Sequence, residues 1–291
     1  MDAAAHDPPA KSLARLGLTG FDRLVRRLVP SVAVLSRRRG LMRILDVISR
    51  IFAAPFPEFR HLPPNHMRIR VGVGNRLLFN EAHYLKFGTT VLVRLLDRGV
   101  LDLDSDVVDL GSGCGRFAGA LHRHGFRGTY TGVDVDREMV DWCSRNFPSD
   151  QFRFELADVY SEVYNPNGRR ATNTIPCADE SQDLVVAYSV LSHLLEDDVI
   201  SYLRESCRVL RPGGTILMGA FCMEDMAALG ELGGRWTFPY REGRAYLQNR
   251  RYPEAAVAYH REDLLAWLRE AGFSTVEVEP ERPQSLLLAT R

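Results

Sequence analysis

The sequence is poor in cysteine, carries no net charge and contains no long apolar run. Five cysteines are scattered over 291 residues, at Cys114, Cys143, Cys177, Cys207 and Cys222. Their number is odd and no pair has C-x-x-C spacing, so neither a disulfide framework nor a zinc site is expected. The 37 basic residues balance the 37 acidic ones, which removes the overall positive field expected of a nucleic-acid-binding chain. No apolar stretch is long enough to span a bilayer. The opening residues, MDAAAHDPPAKS, lack the apolar core of a secretory signal. A soluble cytoplasmic protein is the expectation, and no internal repeat is visible.

What the sequence does have is a change of pattern along its length. Residues 1–12 are small, polar and Pro-containing, and read as a disordered tail. Residues 13–79 read as a basic helical extension: Leu24, Val25, Leu28, Leu41, Ile44, Leu45, Ile48 and Ile51 recur at helical spacing between arginines. From about residue 80 to the end, a helix gives way to alternating strands and helices. Apolar runs at VVDL, TYTGVDV, FRFELAD, DLVVAYS and TILMGAF are strand-like, with helical stretches after each of the first, second and fourth. REDLLAWLREAGF reads as a helix closed by Gly272, and TVEVE with SLLLAT as a final hairpin. Such alternation argues a mainly parallel sheet covered by helices.

The sharpest local signal is VVDLGSGCGR. Gly111, Gly113 and Gly115 are spaced G-x-G-x-G at a strand-to-helix turn, where positive φ and close ligand approach favour glycine. The last position of a G-x-G-x-x-G dinucleotide fingerprint is Arg116, and the Lys-Ser/Thr ending of a phosphate loop is missing. Asp134 ends the second strand about 20 residues later, the place from which a carboxylate can accept ribose hydroxyls. Asp158 ends the third strand, suited to an adenine amino group, with Val159 able to cover the ring. The structural reading of either aspartate is a helix N-cap or turn residue.

From Asp104 to the C-terminus the chain resembles the class I S-adenosylmethionine-dependent methyltransferases. The resemblance rests on VVDLGSGCGRFAGAL, YTGVDVDREMV, ADV, LVVAYSVLSHL and RVLRPGG. It implies a Rossmann-like α/β fold with a seven-stranded mixed sheet, last strand antiparallel, and helices on both faces. It also implies that Asp109, Gly111, Gly113 and Gly115 surround the methionine part of S-adenosylmethionine, that Asp134 binds ribose and Asp158 adenine, and that the end of the fourth strand, including Tyr188, faces the methyl group. Cys114 reads as a small packing residue.

The fourth strand ends without the Asn/Asp-Pro-Pro-aromatic motif of many amine methyltransferases and without an acidic pair for a metal. The expectation is metal-independent O-methylation of a small-molecule hydroxyl: a sugar, a glycolipid or a secondary metabolite. N-methylation of a small amine and a non-catalytic S-adenosylmethionine-binding partner protein are the alternatives. His193 is the first candidate base and His260 the second; otherwise each packs or caps a helix.

Two connections, near 160–180 and 222–260, exceed what the fold needs. Tyr164 in the first, and Trp236, Tyr240 and Tyr259 in the second, are expected to cover the substrate, or else to form a satellite core. Ten basic residues against Asp22 and Asp46 lie between Lys11 and Arg50. Residues 13–52 therefore read as a packed or dimerising helical extension, a peripheral contact with an anionic membrane, or, least favoured, an RNA contact. Arg68 to Asn75, with Phe79, Asn80 and Tyr84, is expected to close over the cofactor.

Overall fold

Val107–Leu110 (β1) has all four side chains buried, as an apolar run does at the centre of a parallel sheet. In the computed structural model, which describes residues 39–71, 78–160, 165, 167–169 and 174–291, β1 pairs in parallel with Tyr130–Asp134 (β2) and with Gln182–Ala187 (β4). Phe152–Leu156 (β3) flanks β2. Leu210–Cys222 (β5) flanks β4, with the ladder interrupted between Gln182 and Leu184 where the Arg-Pro-Gly-Gly turn falls. Ser285–Thr290 (β10) runs antiparallel to both β5 and Thr275–Glu279 (β9). These seven strands are the expected sheet, with its last strand antiparallel.

The sheet is nevertheless larger than seven strands. Tyr240–Glu242 (β6), Ala245–Leu247 (β7) and Val257–Tyr259 (β8) extend it, giving ten strands among the described residues. β8 pairs in parallel with the far end of β5 through Phe221 and Cys222. Sequence periodicity misses these strands because each has only three residues, too few to show an alternation.

Helices Arg39–Ala53 (α1), Asn65–Arg68 (α2), Glu81–Asp97 (α3), Arg116–Arg123 (α4), Arg137–Asn146 (α5), Glu196–Val209 (α6), Met223–Ala228 (α7) and Arg261–Ala271 (α8) complete the described elements. α6 and α8 bury Val199, Leu203, Leu264, Trp267 and Leu268 in one cluster with strand residues such as Val185, Ile216 and Met218. Each such side chain contributes about 1.5–3 kcal/mol of transfer free energy. α8 ends at Gly272 with φ 108, whose amide bonds the Arg269 carbonyl, the glycine stop read from the sequence. Arg211 joins three strands at their origins, donating to Asp183 at 2.5 Å and Asp106 at 2.8 Å.

The chain divides into two compact units, residues 1–90 and 91–291. The division falls within α3, the helix expected to open the second domain, rather than just before it. In the first unit Arg68 is buried and donates to Asn80 at 2.7 Å, Ser49 at 2.8 Å and Glu81 at 2.5 Å. Asn80 and Tyr84, expected at a cofactor, are buried. The tail 1–12, the extension as far as residue 38, residues 72–75 and Tyr164 lie outside the described residues.

Candidate active site

The strands β1, β2, β4, β5 and β8 are mutually parallel, so their C-terminal ends share one edge of the sheet. That edge is where open α/β sheets take ligands. The glycine loop leaves β1 there. Gly111, Gly113 and Gly115 all have positive φ, 66, 55 and 76 respectively. An L residue would be strained at each. Gly115 is doubly constrained: a Cβ would lie 2.8 Å from the Phe147 ring. The loop closes on the next strand, with the amides of Gly111 and Ser112 both donating to the Val133 carbonyl.

Asp134 stands at the end of β2 and accepts from the Gly113 amide at 2.7 Å and the Asp136 amide at 2.8 Å. The capping role that an aspartate here might take falls instead to Asp136, which accepts from Glu138 and Met139 at the start of α5. Asp109 is buried and accepts from the Tyr130 hydroxyl at 2.6 Å. Burial pushes its carboxyl up to about 7, the Tyr130 bond opposing and the nearby Asp134 charge adding. The Ser112 hydroxyl is buried without a partner, an orphaned group at the heart of the loop. Cys114 is fully buried, as a packing residue should be.

Asp158 follows β3 and is exposed. It receives Asn165 at 3.3 Å and pairs with Arg169 at 3.5 Å, while Val159 bridges to Arg169. Tyr188 follows β4, its hydroxyl pushed up mainly by burial. The next residue, Ser189, has φ 65, a left-handed non-glycine conformation of the kind that collects at functional sites. Its hydroxyl is held by Gln284 at 2.9 Å.

The two histidines are placed differently. His193 lies on the 3-10 turn Leu191–His193 after β4 and its Nδ1 donates to the Glu254 carbonyl at 2.8 Å. Burial lowers its pKa, the Glu254 bond opposing, so the ring is neutral with Nε2 as its acceptor nitrogen. His260 follows β8. Its Nδ1 lies 2.5 Å from a Glu224 carboxylate oxygen and its Nε2 2.7 Å from the Tyr246 hydroxyl. Burial works to raise the Glu224 carboxyl, but the Arg261 amide, His260 and further hydrogen bonds outweigh it and hold it down to about 2. Glu224 and Tyr246 carry no sequence signal, since 36 and 14 residues separate them from His260. Only the pairing of β8 with β5 and β7 brings them together.

The connection 222–260 is not a lid of loose aromatics. Trp236 is buried with Phe221, Met226 and Phe238 in a satellite core, its ring 4.5 Å from Phe221. Tyr259 is 1% exposed and donates to the Leu194 carbonyl at 2.7 Å. Both rings are packed inside the fold rather than standing over an open cleft. Tyr240, on the outermost strand, is exposed. In the connection 160–180, Ile175 is buried and its amide and carbonyl are held by Glu205 and Arg208 at 2.9 Å.

A glycine loop and an acidic residue ending the second strand thus stand on an α/β sheet of order β3-β2-β1-β4-β5-β10-β9. Residues 108–218 match the model of a methyltransferase domain. The chain is 31% identical over 108 residues to a ubiquinone/menaquinone biosynthesis C-methyltransferase of Desulfotalea psychrophila, covering 37% of this chain and 38% of that one. It is 32% identical over 111 residues to an arsenite methyltransferase of Aquipseudomonas alcaligenes, covering 38% and 31%. The chain thus spans less than half the length of these curated relatives. A solved structure from Pyrococcus horikoshii has the same fold, with TM-score 0.51 and 18% identity over 82% of this chain and 97% of that one. The likeness to methyltransferases is thus carried by residues 108–218.

Proposed function

We propose that the protein is an S-adenosylmethionine-dependent methyltransferase acting on a hydroxyl of a small molecule such as a sugar, a glycolipid or a secondary metabolite. The observation that carries the reading is the 2.7 Å bond between Asp134 and the Gly113 amide, which joins the glycine loop to the carboxylate at the ligand edge of the sheet. The orphaned Ser112 hydroxyl and the three left-handed glycines fit a nucleoside-sulfonium ligand. When bound, S-adenosylmethionine supplies an electrophilic methyl group with a good leaving group already attached. Asp134 accepts the ribose hydroxyls, Asp158 the adenine amine beside Val159, and Asp109 faces the methionine ammonium. The chain's remaining task is orientation of the acceptor and removal of its proton.

His260 is better equipped than His193 for that proton. A base becomes a cation when it works. Glu224 orients the His260 ring through Nδ1, as the carboxylate does in hydrolase triads, whereas burial beside a neutral carbonyl opposes charge at His193. The Tyr246 hydroxyl engages Nε2, so the acceptor's proton passes by way of the Tyr246 oxygen. This base is the feature that favours a hydroxyl acceptor over an amine, which needs only to be neutral. Calorimetric titration with S-adenosylmethionine and with NADH tests the cofactor. Release of S-adenosylhomocysteine over hydroxyl, amine and carbon acceptors tests the reaction. Binding of NADH alone overturns the assignment, and binding of S-adenosylmethionine without turnover of any acceptor favours a non-catalytic partner protein.

A further inference from the structure

α1 buries Met42, Leu45, Ser49 and Ala53 on one face, the i, i+3, i+7, i+11 stripe of a packed helix. The opposite face should then be polar. Instead Leu41, Ile44, Val47, Ile51 and Phe52 are all exposed, Ile44 at 59% and Ile51 at 65%. Five large apolar side chains on one helix form a contiguous patch of the kind that marks an interaction surface. Its polar rim is one-signed. Asp46, the only acid on the helix, is turned to His66, whose Nδ1 lies 2.7 Å from its carboxylate. Arg43 and Arg50 are exposed, leaving arginine alone beside the patch.

The charge of the rim chooses among occupants. A second copy laid on this stripe would bring arginines against arginines. Residues 1–38 folded back on it would add Lys11, Arg15, Arg23, Arg26, Arg27, Arg37 and Arg38 against Asp2, Asp7 and Asp22, again basic on basic. An anionic lipid surface satisfies both features, taking the apolar side chains at the acyl boundary and the guanidinium groups at the phosphates. We propose that the exposed face of α1 docks the protein on an anionic membrane surface, with Leu41, Ile44, Val47, Ile51 and Phe52 inserted and Arg43 and Arg50 at the headgroups. This inference stands apart from the reaction assigned above.

The test is flotation of the full chain with phosphatidylcholine vesicles, with and without phosphatidylserine as one-third of the lipid. The double variant Ile44→Glu with Ile51→Glu is compared with the native chain, and both are sized by light scattering. Because both positions are exposed, the variant should keep its thermal transition and its S-adenosylmethionine affinity. Expected are binding of the native chain to the phosphatidylserine vesicles alone, a fall of roughly tenfold or more in the variant, and a fall of about fivefold for each of Arg43→Gln and Arg50→Gln. Binding that is absent, or equal in native chain and variant, overturns the proposal. A native dimer that the variant converts to monomer without any vesicle binding makes the face a self-association surface. New protease cleavage within residues 1–38 of the variant, again without vesicle binding, makes it the seat of the chain's own N-terminal segment.

Discussion

The Nδ1 of His260 lies 2.5 Å from the carboxylate of Glu224, and the two residues leave the ends of neighbouring parallel strands. The pair sits on the ligand edge of the sheet, and Glu224 is held ionised far below neutrality. His260→Ala is therefore expected to slow methyl transfer by about a hundredfold or more while S-adenosylmethionine affinity stays unchanged. Tyr246→Phe should slow transfer in the same sense. His193→Ala should leave the rate within a few-fold of native. Single-turnover rates on an identified acceptor check all three, and full activity in His260→Ala removes the base assignment.

Asp134→Ala is expected to weaken S-adenosylmethionine binding by about tenfold or more, the loss of charge-assisted hydrogen bonds to ribose. Asp136→Ala should instead lower stability by about 1 kcal/mol through the lost N-cap, with affinity nearly intact. Titration calorimetry and thermal melts on the two variants separate the binding aspartate from the capping one.

The buried Asp109 predicts two pH effects. Its folded-state pKa, about 7, is raised above that of the unfolded chain. Its contribution to stability is therefore fully present below the unfolded carboxyl's range and is lost as pH rises through about 7. Asp109→Asn should melt higher than the native protein at pH 8, with the gain vanishing near pH 4. Its proposed partner, the methionine ammonium, favours the ionised form. Native S-adenosylmethionine affinity should rise as pH climbs through 7, and this rise should be absent in Asp109→Asn. A native affinity flat from pH 6 to 8 would separate Asp109 from the cofactor.

In the first unit, Arg68 and Glu81 form an ion pair with both side chains less than one-tenth exposed. Removing one member leaves the other charge buried. Glu81→Gln or Arg68→Met should each destabilise by about 3–5 kcal/mol, whereas the double variant should recover part of that loss. Denaturant unfolding of the set reads the coupling directly, and additive losses would show the pair to be unlinked.

The sequence by itself determined the strand–helix alternation of the second unit, the glycine loop, the glycine stop at Gly272 and the position of Asp134. All of these are short-range: they depend on side-chain periodicity, on φ angles only glycine tolerates, or on what ends a strand. Tertiary structure decided the rest. It assigned the helix cap to Asp136 rather than Asp134, because only one of the two can reach the first amides of α5. It built the 222–260 connection into three more strands over their own core, so that Trp236 and Tyr259 became packing residues. It gave His260 its carboxylate and its phenol, partners that strand order places together across 36 and 14 residues. No pattern local to His260 encodes those contacts, since the free energy that fixes them comes from burying β8 between β5 and β7.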